Sequence, residues 1–280
     1  MSKLIESTTS ARHLLAALVR RLTPARGTVD ATSQTPATAP HAGPSRPRQA
    51  PDPAVNSAAP ATSTPHPATY VFEARTRFRG RSIGLSLRAA TADRDRMARI
   101  FRDDSLYALP ADVHPRVIFD VGAGVGLSSV YFALTYPDAD VFAFEPRADK
   151  LPLLRRNALR HSPKIHVVEL GLGDKELGAR QAGFDRSVVT IEQAAAQLRV
   201  DHVDLFKLDA PGWELAILRG LPAHWRRATT AFVGELHGAN DFDVCRLLSG
   251  SHDVGLTKPL NATRFPFQAV RRHNPFAAAA

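Results

Sequence analysis

Four short stretches carry residues that could do chemistry. The first is "VIFDVGAGVGLSS", in which Asp120 is followed by Gly122, Gly124 and Gly126 before a helix-like run. Glycines suit a turn that must bend sharply and let a ligand approach main-chain atoms without obstruction by a Cβ. The N–H groups that open the following helix favour a carboxylate or phosphate. The second is "FAFEP", which places Glu145 nineteen residues after Gly126. The third is "VDLFKLDAPGWELAILRG", where an apolar run ends on Lys207 and Asp209, breaks at Pro211-Gly212 and resumes as an amphipathic pattern. The fourth is "VGELHG", with Glu235 and His237. A dinucleotide fingerprint read from Gly122 would require a glycine where Leu127 stands, so a nicotinamide oxidoreductase is the weaker alternative.

The elements that must position these residues follow from periodicity. Short apolar runs alternate with helical patterns. "RVIFDV", "DVFAFE", "KIHVVEL", "VDLFKLD" and "TAFVGEL" read as strands apolar on both faces. "LSSVYFALTY", "KLPLLRRNALRH", "TIEQAAAQL", "WELAILRGL" and "DFDVCRLLSG" read as the helices among them. Strands of this kind separated by helices form a parallel sheet covered on both sides. "HDVGL" and "FPFQAVRR" follow each other without a helix and predict a closing antiparallel hairpin. Ahead of the series, "YVFEA" and "SIGLSLRA" read as an antiparallel pair. "DRDRMARIFRDD" reads as a surface helix with Met97, Ile100 and Phe101 facing inward.

Composition divides the 280 residues. Positions 1–69 hold ten of the 21 prolines and no sustained apolar periodicity after Leu22, so the stretch after that point reads as a disordered linker. Leu14, Leu15, Leu18 and Leu22 share one face of a short amphipathic segment suited to peripheral docking. Residues 70–280 then form the folded domain. The net charge of +9 is spread along the chain, with small clusters at Arg155-Arg156, Arg226-Arg227 and Arg271-Arg272, which disfavours nucleic acid as a partner. Cys245 is the only cysteine, so no intrachain disulfide forms. No apolar run reaches the length of a membrane span and no secretory signal is clear, which makes the cytoplasm the expected compartment. His/Cys clusters with zinc spacing are lacking; a magnesium site of Asp209 and Glu235 has no support in the spacing, and no metal is expected.

The D-x-G-x-G-x-G pattern resembles the first motif of S-adenosylmethionine-dependent methyltransferases of the seven-stranded, doubly wound, mostly parallel α/β fold. The resemblance implies that Asp120, Gly122, Gly124 and Gly126 embrace the methionine portion of the cofactor. It also implies that Glu145 accepts hydrogen bonds from the ribose hydroxyls, and that Leu170, Gly171 and Asp174 lie near the adenine. The segment from Ser187 to Leu221 is similar to the hallmark of FkbM-type methyltransferases, with matches at Thr190, Lys207, Asp209, Gly212, Glu214, Leu218 and Gly220. Pro211 departs from it, standing where that family usually has Glu, and it keeps a noncatalytic scaffold of the same fold open as an alternative. The Asp-Pro-Pro-aromatic motif of amino methyltransferases does not fit in register, since Ala210 occupies the first proline position. The resemblance implies methyl transfer to an oxygen of a small molecule or carbohydrate. For that reaction the expectation is that Asp209 orients the cofactor or acceptor and that His237, with a pKa near neutrality, is the base, while Glu235 holds the acceptor, orients His237 or pairs with Lys207. Glu214 falls in the first turn of a helix, where a negative charge is favourable in any case.

Overall fold

A computed structural model describes residues 70–102, 106–176, 186–238, 240–256, 260–261 and 264–272. Residues 1–69, read above as an amphipathic segment and linker, lie outside the described residues. The first elements are the hairpin β1 (Val71–Phe78) and β2 (Arg81–Arg88), paired antiparallel with Phe78 opposite Arg81. Arg79 and Gly80 form the two-residue turn with φ 47° and 77°, the left-handed pair that matches the twist of a hairpin. Helix α1 (Asp93–Arg102) follows and buries Met97, Ile100 and Phe101.

The main sheet begins at β3 (Val117–Val121), continues through α2 (Leu127–Thr135) to β4 (Asp140–Phe144), and through α3 (Leu151–His161) to β5 (Ile165–Val168). A small parallel pair, β6 (Gly171–Leu172) and β7 (Val188–Val189), precedes α4 (Ile191–Leu198) and β8 (Leu205–Leu208). Helices α5 (Glu214–Arg219) and α6 (Ala223–Ala228) lead to β9 (Ala231–Leu236). Then come α7 (Asp241–Ser249), β10 (His252–Leu256) and β11 (Phe265–Arg271). The seven-stranded sheet has the order β10-β11-β9-β8-β3-β4-β5; β11 runs antiparallel to β9 and β10, and the pairs between β9 and β5 are parallel. This is the doubly wound sheet with a closing hairpin expected from the pattern. Two things were not: the two-residue β6–β7 pair and the short helix α6, neither long enough to leave a periodic signal.

Period-2 alternation sorts the strands between two cores. Ile118, Val141, Leu205 and Val233 face the layer of α1, α2, α3 and the hairpin. Phe119, Phe144, Phe206 and Phe232 face α4, α5 and α7. The second set forms a row of rings, with Phe206 and Phe232 stacked at 5.4 Å and Phe119 edge-on to Phe206 at 5.4 Å. Such pairs add about 0.5–1.5 kcal/mol each beyond their burial. Thr190 caps α4 reciprocally: its hydroxyl accepts from the Gln193 N–H while Gln193 Oε1 accepts from the Thr190 N–H at 2.9 Å.

Asn157 joins the hairpin to the sheet. Fully buried on α3, its amide accepts from the Ser86 N–H at 2.9 Å and donates to the carbonyls of Ser86 at 3.0 Å and Val125 at 2.8 Å. Val125 lies in the glycine turn, so one side chain ties that turn to β2. Removing the amide orphans three buried backbone groups, each worth roughly 1–3 kcal/mol. Asn157→Ala is expected to lower unfolding free energy by about 3 kcal/mol in urea titrations; a loss below about 1 kcal/mol would show that solvent replaces the amide.

Candidate active site

In open parallel sheets, ligands bind outside the carboxyl ends of the strands where strand order reverses. Here that place lies between β3 and β8, whose register sets Asp120 beside Lys207. A cleft of about 410 Å³ opens there, within the roughly 300–1,000 Å³ of small-molecule sites. Its walls include Gly122, Gly124, Glu145, Leu170, Gly171 and Asp209, six residues singled out in the sequence, along with Arg96, Lys150, Pro211 and Trp213.

The three glycines of the turn have different tasks. All have positive φ. A Cβ on Gly122 would stand 2.2 Å from the Asp209 carbonyl oxygen, so this glycine lets the ends of β3 and β8 approach. A Cβ on Gly126 would meet Leu154 at 2.8 Å, a packing requirement of α3. A Cβ on Gly124 would meet nothing within 4 Å, so it faces the cleft and leaves the backbone open to a ligand. The turn is anchored on β4, because the N–H groups of Gly122 and Ala123 both donate to the Phe144 carbonyl. Next to it, buried Glu145 accepts from the Gly124 N–H at 2.8 Å and the Arg147 N–H at 3.0 Å, with Lys150 Nζ 3.4 Å away.

Asp120 sits behind the turn rather than on the cleft wall. It is fully buried; its Oδ2 accepts from the hydroxyls of Ser128 at 2.7 Å and Ser129 at 2.6 Å, and its Oδ1 lies 2.9 Å from Lys207 Nζ. Lys207, 1% exposed, also donates to the carbonyls of Gly122 at 2.8 Å and Val121 at 3.3 Å. These two residues shape the turn from inside. Asp174 likewise stands away from the cleft, lining a separate depression with Lys175, Glu192 and Arg219.

Asp209, Glu235 and His237 do come together, on the same face of the sheet as Asp120 and Lys207. Asp209 Oδ2 is 3.3 Å from Arg96 and accepts from the Tyr107 hydroxyl at 3.3 Å. Burial works to raise the Asp209 pKa, but Arg96, Lys207, His237 and Arg264 outweigh it and hold the carboxyl below its usual value. Burial pushes the Tyr107 phenol well above its ordinary range, with the Asp209 charge adding to the effect, which keeps it a donor. Glu235 is fully buried and pairs with Arg264 at 2.6 Å. His237 Nδ1 is 2.8 Å from Glu214 Oε1, and its Nε2 is 3.5 Å from Asp209 Oδ1 and 3.7 Å from Glu235 Oε2. Burial would lower the His237 pKa, yet the bond to Glu214 and the charges of Asp209, Glu214 and Glu235 raise it above the usual imidazole value.

Sequence reasoning left Arg96, Tyr107 and Arg264 unassigned and read Glu214 as a charge favoured in the first turn of a helix. Arg96 adjoins Met97 on the inner stripe of α1, a weak signal; Tyr107 and Arg264 lie in irregular segments and carried none. No helix among the described residues is long and apolar enough to cross a membrane.

The sheet order and the cleft at its switch point define a Rossmann-like α/β fold of the doubly wound, seven-stranded kind. No protein-family model matches the chain. It is 41% identical over 75 residues to the AMB antimetabolite synthetase AmbE of Pseudomonas aeruginosa, a match covering 26% of this chain and 4% of that one. It is 38% identical over 68 residues to the 31-O-demethyl-FK506 methyltransferase FkbM of Streptomyces tacrolimicus, covering 24% of this chain and 26% of that one. A third relative, ribosomal RNA small subunit methyltransferase G of Clavibacter sepedonicus, is 24% identical over 145 residues, covering 50% and 64% of the two chains. The chain thus spans about a quarter or less of the length of the first two relatives.

Proposed function

We propose that the chain is an S-adenosylmethionine-dependent methyltransferase of the FkbM type, acting on a hydroxyl oxygen of a small molecule or carbohydrate. Residues 70–280 form the catalytic domain in this reading, and 1–69 an N-terminal appendage. The observation that carries it is the pairing of Glu145 with Gly124 at the mouth of the switch-point cleft. A carboxylate there offers two acceptors to adjacent ribose hydroxyls, while the open face of Gly124 admits the rest of the nucleoside. Leu170 and Gly171 supply an apolar wall for the adenine. When bound, the cofactor's sulfonium supplies an electrophilic methyl group; the chain's part is to align the acceptor with it and to receive the acceptor's proton. Asp209 belongs both to the cleft wall and to the cluster with Glu235 and His237, which supports that junction as the seat of the acceptor's hydroxyl in this reading. Pro211 lines the cleft where the FkbM pattern has Glu, so the acceptor meets one carboxylate fewer than in that pattern.

Calorimetric titration of the purified chain with S-adenosylmethionine tests this directly, with saturable one-to-one heat as the expected outcome. Glu145→Ala is expected to weaken binding about 30-fold, equivalent to about 2 kcal/mol for lost charged hydrogen bonds. Absence of heat and of thermal stabilisation in the unmodified chain would sink the cofactor assignment, and unchanged affinity in the variant would remove Glu145 from it.

A further inference from the structure

Three buried polar atoms stand without a hydrogen-bond partner where the cluster adjoins the cleft at Asp209: Asp209 Oδ1, Glu235 Oε1 and His237 Nε2. One ligand atom from each of these three residues lies within 4.8 Å of the others. From this geometry we propose that Asp209, Glu235 and His237 bind a divalent metal ion of the magnesium or manganese class. The proposal deepens the methyl-transfer reading and rests on it for the ion's purpose, which is to hold the acceptor oxygen.

Three features argue for a cation rather than for hydrogen bonding within the cluster. The first is spacing. His237 Nε2 stands 3.5 Å from Asp209 Oδ1 and 3.7 Å from Glu235 Oε2, well beyond the roughly 2.7–2.9 Å of a charge-assisted hydrogen bond. Ligands about 2.1 Å from an octahedral ion are about 3.0 Å apart at adjacent positions and about 4.2 Å apart at opposite ones, so both distances fall inside the range an ion would set. The second is the histidine's orientation. An ionised Glu214 accepts, so the 2.8 Å contact sets a proton on Nδ1, and Nε2 then faces the two carboxylates and offers its lone pair once a cation displaces the second proton. A carboxylate behind a histidine is how metal-ligating imidazoles are commonly oriented. The third is charge. The carboxylates of Asp120, Asp209, Glu214 and Glu235 face three basic side chains, Lys207, Arg96 and Arg264, leaving one negative charge for either a His237 imidazolium or a bound cation to meet. Arg264 engages Glu235 Oε2 at 2.6 Å, and Glu235 Oε1 has no such partner. Two carboxylates and one imidazole suit a hard divalent ion whose other positions go to water or an acceptor oxygen. The ligands come from separate stretches of sequence, Asp209 just after β8, Glu235 within β9 and His237 just after it, which is why residue spacing gave a metal no support.

The test uses the full chain, stripped with EDTA and titrated with Mn2+ under electron paramagnetic resonance. One ion per chain is expected, with Mg2+ competing. Glu235→Gln and His237→Gln are each expected to weaken Mn2+ binding at least 30-fold, with circular dichroism melts reporting whether each variant is folded. If a variant is unfolded, the unmodified chain carrying 15N-histidine decides, since a hyperfine coupling from one imidazole nitrogen is expected. Absence of a stoichiometric ion, equal binding by folded variants, or a bound ion without nitrogen coupling would each overturn the site. S-adenosylmethionine binding is measured on the same samples: cofactor without metal refutes only the ion, and metal without cofactor refutes only the methyl-transfer reading.

Discussion

Replacing Lys207 by methionine is expected to lower unfolding free energy by about 3–5 kcal/mol, the cost of removing one partner from a buried ion pair. For a domain of this size that moves the thermal midpoint by on the order of 10 °C. The ammonium is 1% exposed and has three jobs at once. It neutralises Asp120 at 2.9 Å, donates to the carbonyls of Gly122 and Val121, and lies 4.0 Å from Asp209. Methionine fills the space but leaves Asp120 with only the two serine hydroxyls and takes the ammonium donor from the Gly122 carbonyl, while the Val121 carbonyl keeps the Asp209 N–H. The double change Lys207→Met, Asp120→Asn removes the orphaned charge as well and is expected to recover more than half of the loss. Chemical denaturation of the four proteins in the cycle measures this, and additive single effects would mean that the two residues act independently.

Most of the architecture was legible because it rests on patterns that span many residues. Five apolar strands separated by amphipathic helices imply a parallel sheet, and adjacent strands at the end imply a hairpin. The site was legible where a motif is local, as in the glycine turn, Glu145 and the Lys207-x-Asp209 strand end. Elsewhere, position along a strand mattered as well as proximity to the turn. Asp120 stands next to the glycines in sequence, but its side chain points to the α2 layer, where two serines and a lysine hold it. The partners of Asp209 and Glu235 were hidden for another reason: Tyr107 is 102 residues from Asp209, Arg96 comes from α1, and Arg264, which pairs with Glu235, stands just before β11. Contacts of that range are made by the fold, not by any local pattern. Glu214 shows the converse case, since the helix-end charge that seemed sufficient to explain it coexists with a direct bond to His237.

Two of the turn's three glycines, Gly122 and Gly124, separate folding from ligand binding, and this gives the second large effect. Gly122→Ala forces a Cβ to within 2.2 Å of the Asp209 carbonyl at φ 77°. That oxygen belongs to the backbone at the end of β8, which can retreat only by moving Asp209 and with it the contacts to Arg96, Tyr107 and His237. Overpacking of this kind costs about 1–3 kcal/mol, and the left-handed backbone adds about 1–2 kcal/mol. A stability loss of about 3–4 kcal/mol is therefore expected, together with at least a 100-fold loss of S-adenosylmethionine affinity, because the cleft wall itself shifts. Gly124→Ala meets nothing within 4 Å, so only the strain of φ 62° remains, about 1–2 kcal/mol. Its methyl group projects into the cleft, and the affinity should fall at least 10-fold even so. Denaturation and calorimetry on both variants decide the matter. Equal stability losses would mean that Asp209's backbone yields without cost, and full affinity in Gly124→Ala would place the ligand away from the turn.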